Sequence, residues 1–254
     1  MLRWQVAIAI ENPKVLYLVI EFLKKLNLKF VVCRPGDSQC EDAKVVITTL
    51  DDFNKHNAVV LVDEDMDPDF TSVEIMSKLE NVVNPSLAVI GIDPGMRFGA
   101  VLVIDGIVTF RSSLSTPGAA ARLTSRLESY VSHLFPQCET IVRAGTGSKL
   151  YLALYLRRMV QEFPSLKIEL VNEHHTTISS GVTSDQSSAI IIAGRAGRPQ
   201  EAKDRILEPK AGYIRSLKTL VQRFSRGGTT LSSEQARAIL LGELSLDCIV
   251  KDNC

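Results

Sequence analysis

The chain has 254 residues, 45% of them hydrophobic and 23% charged, with no net formal charge. That describes an ordinary soluble globular protein with room for one large domain or two modest ones. No apolar run is long enough to span a bilayer, and Met1–Trp4 leads straight into a strand-like stretch, so neither a membrane segment nor a signal peptide is expected. The five cysteines (Cys33, Cys40, Cys138, Cys248, Cys254) stand singly, with no CxxC pair and no histidine at ligand spacing. Zinc and a disulfide framework are therefore not expected, and a reducing cytoplasm is. The neutral total hides an asymmetry. Residues 1–85 carry 9 Lys+Arg against 14 Asp+Glu, whereas residues 195–226 carry 9 basic against 3 acidic. A polyanionic partner is thus compatible with the neutral total.

In chain order, residues 5–10 read as a short apolar strand. Residues 13–26 come next, with helical spacing at Val15, Val19, Phe22 and Leu23. Residues 29–33, 44–48 and 58–62 are β-rich, with a short helix expected over residues 50–56. Strands alternating with helices predict a parallel sheet covered by helices, a small α/β module over residues 1–82. It has no GxGxxG and no phosphate-binding lysine loop. The acidic run of residues 63–69 lacks the central glycine and closing glutamate of an EF-hand, and reads as a solvated loop before a helix over residues 70–80. Residues 81–86 (NVVNPS) mark the domain boundary.

Residues 87–106, LAVIGIDPGMRFGAVLVIDG, organise the rest of the chain. An apolar strand ends on Asp93, turns at Pro94-Gly95, and returns as a second strand. Asp105-Gly106 is a hairpin signal that leads to a third strand over residues 107–110. A carboxylate in so apolar a run is costly unless it is paired, hydrogen-bonded or coordinates a metal; capping the turn is the plain alternative. Thr116-Pro117 opens a helix with apolar residues at Ala120, Leu123, Leu127, Val131 and Leu134, leaving Arg122 and Arg126 on the wetter face. A brief strand over residues 140–142 runs into Arg143-Ala144-Gly145-Thr146-Gly147-Ser148, then a helix over residues 150–163. The strand of residues 167–171 ends in Asn172-Glu173-His174-His175-Thr176-Thr177. Asp185 opens a helix that runs into Ile190-Ile191-Ile192-Ala193. Taken singly, Asp185 suits a helix dipole and Glu173 suits a surface loop.

Together these motifs resemble the ribonuclease H-like fold. GIDPG on the first strand of a meander, NEHHTT and SDQSSAIIIA are similar to the YqgF-type branch, close relatives of the RuvC-type Holliday-junction resolvases. The resemblance covers residues 87–197. It implies a ribonuclease H-like mixed sheet with flanking helices over residues 86–200, preceded by the α/β module. It also implies that Asp93, Glu173 and Asp185 are the catalytic, metal-binding acids. Two departures stand out: His174 comes after Glu173 where the YqgF pattern has Arg, and Arg143-Ala144-Gly145 stands where a resolvase carries a glutamate.

Three carboxylates without a zinc-type ligand set suit Mg²⁺ or Mn²⁺, with His174 available to assist proton transfer. Arg97, Arg143, Lys149, Arg195 and Arg198 flank the motif turns and are candidate phosphate contacts. The helical tail over residues 201–254 adds Lys210, Arg215 and Lys218 on a basic first helix. Ser232 and Gln235 form the capping box of a second. The expected function is a metal-dependent endonuclease on structured DNA or RNA, with a homodimer left open. The alternatives are a non-catalytic nucleic-acid-binding scaffold on the same fold, or an ATPase of the sugar-kinase/actin class, for which the chain looks short.

Overall fold

The computed structural model describes residues 4–53, 58–172, 184–225 and 227–246. The chain divides into two compact units, Met1–Ser86 with Tyr130–Cys138, and Leu87–Ser129 with Glu139–Cys254. Both are α/β.

In the first unit, β1 (Trp4–Ala9), α1 (Pro13–Lys25), β2 (Phe30–Val32), α2 (Ser38–Glu41), β3 (Ala43–Thr48), β4 (Val59–Leu61) and α3 (Pro68–Leu79) succeed one another. The strands form one parallel sheet, β2-β1-β3-β4. The helical spacing of the apolar residues makes α1 what it is: Val15, Val19, Phe22 and Leu23 are buried against Val6, Ile8, Val45 and Ile47. Asn12 caps it and Pro13 starts it. Asp67, within the acidic run, caps α3 in the same way. It also accepts a 2.6 Å hydrogen bond from the Tyr130 hydroxyl.

Two expectations change here. The described part of residues 50–56 is a turn, not a helix, because the Thr49 hydroxyl bonds the Asp52 carboxylate at 2.8 Å and the same carboxylate accepts from the Glu11 N–H. The cysteines are not all single. Cys33 and Cys40 form a disulfide, with Cα atoms 6.0 Å apart, because the short connection from β2 to α2 folds back on itself. Unpaired cysteines therefore no longer speak for a reducing compartment. Among the described residues, no helix is long and apolar enough to cross a membrane.

In the second unit, β5 (Leu87–Asp93), β6 (Phe98–Ile104) and β7 (Ile107–Leu114) form the expected antiparallel meander. Its hairpin has Asp105 at φ +45° and Gly106 at φ +85°, the left-handed pair that a two-residue turn requires. Next come α4 (Pro117–Leu134), whose residues from Tyr130 belong to the first unit, then β8 (Glu139–Gly145), α5 (Lys149–Glu162), β9 (Lys167–Val171), α6 (Ser184–Ala193) and the two-residue β10 (Arg198–Pro199). The sheet order is β10-β9-β8-β5-β6-β7. β8 runs parallel to β5, and β9 parallel to β8. Five strands in the spatial order 3-2-1-4-5, with only the second antiparallel, make the ribonuclease H-like mixed sheet. β8 runs three residues further than the sequence suggests, through Arg143, and β10 is an addition.

A 3-10 turn (Ala202–Arg205), α7 (Ala211–Phe224) and α8 (Ser233–Leu241) complete the unit. The tail shares a core with α5: Leu217, Leu220, Val221, Ile239 and Leu240 pack with Leu150 and Leu154. The expected capping box of α8 is present, with Ser232 and Gln235 exchanging bonds.

Arg157 of α5 ties the tail down. Its guanidinium donates to the carbonyls of Arg205 (2.5 Å), Ile239 and Leu240 (2.5 Å), so it closes the last turn of α8. Burial disfavours its charge and lowers its pKa. Arg157→Met keeps the stem but removes all the guanidinium bonds, leaving the Ile239 and Leu240 carbonyls with only their backbone donors, the Gly242 and Leu207 N–H groups. It is expected to cost about 2–4 kcal/mol in denaturant unfolding; a change under about 0.5 kcal/mol would contradict this role.

Arg198 and Asp204 make a second tie, with two hydrogen bonds of 2.8 and 2.5 Å. The Arg198 hydrogen bonds, helped by the Glu201 N–H at 2.8 Å, hold the Asp204 carboxyl below its ordinary range. A carboxyl depressed in the folded state stabilises above its unfolded pKa, about 3.9, and that contribution is lost as pH falls through the folded value. Asp204→Asn should therefore flatten the fall in Tm below about pH 4. Identical acid slopes in the two proteins would rule this out.

Candidate active site

The carboxyl end of β5 is where the chemistry collects. Side chains alternate along a strand, so Val89, Gly91 and Asp93 share one face of the sheet. Val89 packs with Val101 of β6 and with Ala189 and Ala193 of α6, so this is the face that α6 covers. In the β5–β6 ladder Asp93 pairs with Gly99, and Gly91 with Val101.

Two glycines let α6 lie directly on the strands. A Cβ on Gly99 would stand 1.9 Å from the carbonyl oxygen of Asp185, and one on Gly91 would stand 2.4 Å from that of Ala189. Asp185 sits in the first turn of α6, over the Asp93–Gly99 pair. Two half-buried carboxylates, 92 positions apart in sequence, thereby reach the same end of the same face. Arg97, in the β5–β6 turn, brings its Nε to 4.0 Å from Asp185 Oδ2 and stays 67% exposed. Gln186 donates to Ser113 Oγ of β7 at 3.3 Å, which fixes the start of α6 laterally.

Glu173 and His174 lie outside the described residues. β9 runs parallel to β8 and β5 and ends at Val171 at the same end of the sheet, two positions before Glu173. Among the described residues no group of three or more Asp, Glu, His or Cys gathers as a metal site, so the described share of the acidic set is the pair Asp93 and Asp185.

The basic candidates divide. Arg143 is not a loop residue: it lies in β8 on the α6 face, 15% exposed, 2.9 Å from Glu169 of β9. Its Nη1 also donates to the Ala193 carbonyl at 2.7 Å, capping the negative end of α6. The ion pair and the cap give its charge a structural use inside the fold. Arg198 is engaged with Asp204 and Glu201. Arg195 donates to the Asn172 carbonyl at 3.4 Å.

Lys149, at the start of α5, and Arg215 on α7 are exposed. Lys210 stands 3.4 Å from Glu208, and Lys218 donates to Ser233 Oγ at 2.9 Å. Arg223 adds a cation that the motif turns do not single out. From the last turn of α7 it donates to the Met96 carbonyl at 2.7 Å, which brings the basic helix to the Asp93–Arg97 turn. Its sequence signal is its place in the basic run.

Comparison with known proteins adds little. No protein-family model matches the chain, and no curated protein matches it. Two solved structures of Marinitoga piezophila Argonaute are similar to part of it, one in complex with 5′ OH guide RNA and one with 5′ OH guide RNA and target DNA. They are 11% and 10% identical, each with a TM-score of 0.24, and the match covers 66% of this chain. The chain spans 39% of the length of those structures, and a likeness at that score assigns neither a fold nor a function.

Proposed function

We propose that the second unit is a divalent-metal-dependent phosphodiester hydrolase acting on structured DNA or RNA. The observation that carries this reading is the placement of Asp93 and Asp185 at one end of the sheet, where α6 lies directly over the Asp93–Gly99 pair. Carboxylate oxygens are hard donors, so two acids at one end of a sheet face suit Mg²⁺ or Mn²⁺. Asp93 and Asp185 would hold the ion, joined by Glu173 on the resemblance of NEHHTT to the YqgF pattern. Bound there, the ion supplies an activated water and charge stabilisation at the phosphoryl oxygens.

The chain's own cations do the rest. Arg97 beside Asp185, and the exposed face of α7 held at the adjacent turn by Arg223, meet the phosphate backbone and orient it. His174 is assigned proton transfer on sequence proximity to Glu173. Since these contacts read the backbone, selectivity between a four-way junction and a folded RNA rests on substrate shape.

The test is a cleavage assay with Mg²⁺ and with Mn²⁺ on a four-way DNA junction, a plain duplex and a structured RNA. Cleavage abolished by a chelator is expected. Junction-selective cuts identify a resolvase, and RNA-selective cuts a processing ribonuclease. Binding without any cutting would replace this reading with the scaffold, which the placement of Arg143 where a resolvase carries a glutamate would then explain.

A further inference from the structure

The second unit contains a cavity of about 550 Å³ that includes neither Asp93 nor Asp185. It lies between the second half of α5, the 3-10 turn and the end of α8. Leu154, Val160 and Leu244 supply apolar wall; Arg157, Arg158 and Arg205 supply three guanidinium groups. This size, with apolar walls and polar groups both lining the space, is that of a small-molecule site.

The three arginines are not equivalent. Arg157 spends its hydrogens on the Arg205, Ile239 and Leu240 carbonyls, and Arg158 stands 3.2 Å from Glu162. Arg158 and Arg205 each hold a buried Nε with no hydrogen-bond partner among the described residues, and of the two only Arg158 has an ion pair there. A buried donor left unmade is costly, and a ligand oxygen would satisfy it. Glu243 is the one carboxylate in the lining, against three arginines, so the wall carries two formal positive charges in excess. That excess matches a phosphate monoester, close to a dianion at neutral pH, better than a carboxylate, which brings a single charge. A guanidinium fork also suits paired phosphate oxygens.

We propose that this cavity binds a small organic phosphate of mononucleotide size, its phosphate on Arg205 and its ring against Leu154, Val160 and Leu244. The site is separate from the proposed nuclease centre and stands whether or not that centre cuts.

Isothermal titration of the full chain with the four nucleoside 5′-monophosphates, inorganic phosphate and octanoate tests it. The variants are Arg205→Gln, which removes the cation, and Ala202→Trp, which fills the cavity from an exposed position. At least one nucleotide should bind with a Kd of about 1–100 μM and weaken about tenfold or more in each variant, while both variants keep the wild-type Tm in the absence of ligand. The proposal fails if no nucleotide binds at millimolar concentration, or if binding is unchanged in both variants. It also fails if inorganic phosphate or octanoate binds as tightly as the best nucleotide. Should Arg205→Gln unfold the chain, Ala202→Trp alone decides.

Discussion

Gly99→Val is expected to be among the most destabilising single substitutions in the second unit, at about 3 kcal/mol or more. A Cβ at this position would meet the Asp185 carbonyl oxygen at 1.9 Å and the next amide nitrogen at 3.2 Å. Both are backbone atoms of α6, so no side-chain rotation relieves the clash; the helix must lift. Lifting it separates Val101 and Val89 from Ala189 and Ala193 and withdraws Asp185 from Asp93. Gly91→Ala meets the Ala189 carbonyl at 2.4 Å and should act in the same direction. Urea unfolding monitored by circular dichroism measures both. A Gly99→Val midpoint within about 0.5 kcal/mol of wild type would mean that α6 does not lie on these strands.

Asp93→Asn should lower metal-dependent cleavage by about a thousandfold or more, equivalent to about 4 kcal/mol of transition-state stabilisation. The change is isosteric and removes one charge, so the ladder pair with Gly99 and the fold are expected to persist. Nucleic-acid affinity should hold or rise slightly, because repulsion between the carboxylate and phosphate falls. Asp185→Asn should behave alike, since the proposed ion is shared by both acids. Single-turnover rates beside a binding titration separate the effects. Unchanged cleavage by either variant would remove that residue from the site; lost binding with lost cleavage would instead indicate damage to the fold.

Much of the second unit is legible in the chain because its signals are local. GIDPG sets a carboxylate at a strand end, Asp105-Gly106 forces the hairpin, and small residues after Asp185 announce a helix that can approach a sheet closely. The glycines facing α6 are visible as residues, but their purpose depends on a helix about 90 positions away. Arg143-Ala144-Gly145 reads as a turn because an arginine inside a strand has no local explanation. Glu169 on the neighbouring strand and the Ala193 carbonyl supply one, and both are distant in sequence. The Cys33–Cys40 disulfide is hidden because a spacing of seven carries no motif; only the fold of the β2–α2 connection brings the pair together. Arg223 is one cation among many in a basic run until α7 packs beside the β5–β6 turn.

Iron-mediated cleavage of the protein addresses the proposed metal centre most directly. Fe²⁺ takes the place of Mg²⁺ at oxygen-donor sites, and with ascorbate and peroxide it cuts the backbone within a few ångströms of where it binds. Mass spectrometry of the fragments then maps the ion. Cuts close to Asp93 and Asp185, competed by Mg²⁺ and lost in Asp93→Asn, are the predicted result. Scattered cuts, or a pattern that Asp93→Asn leaves intact, would contradict a metal centre built on these two carboxylates.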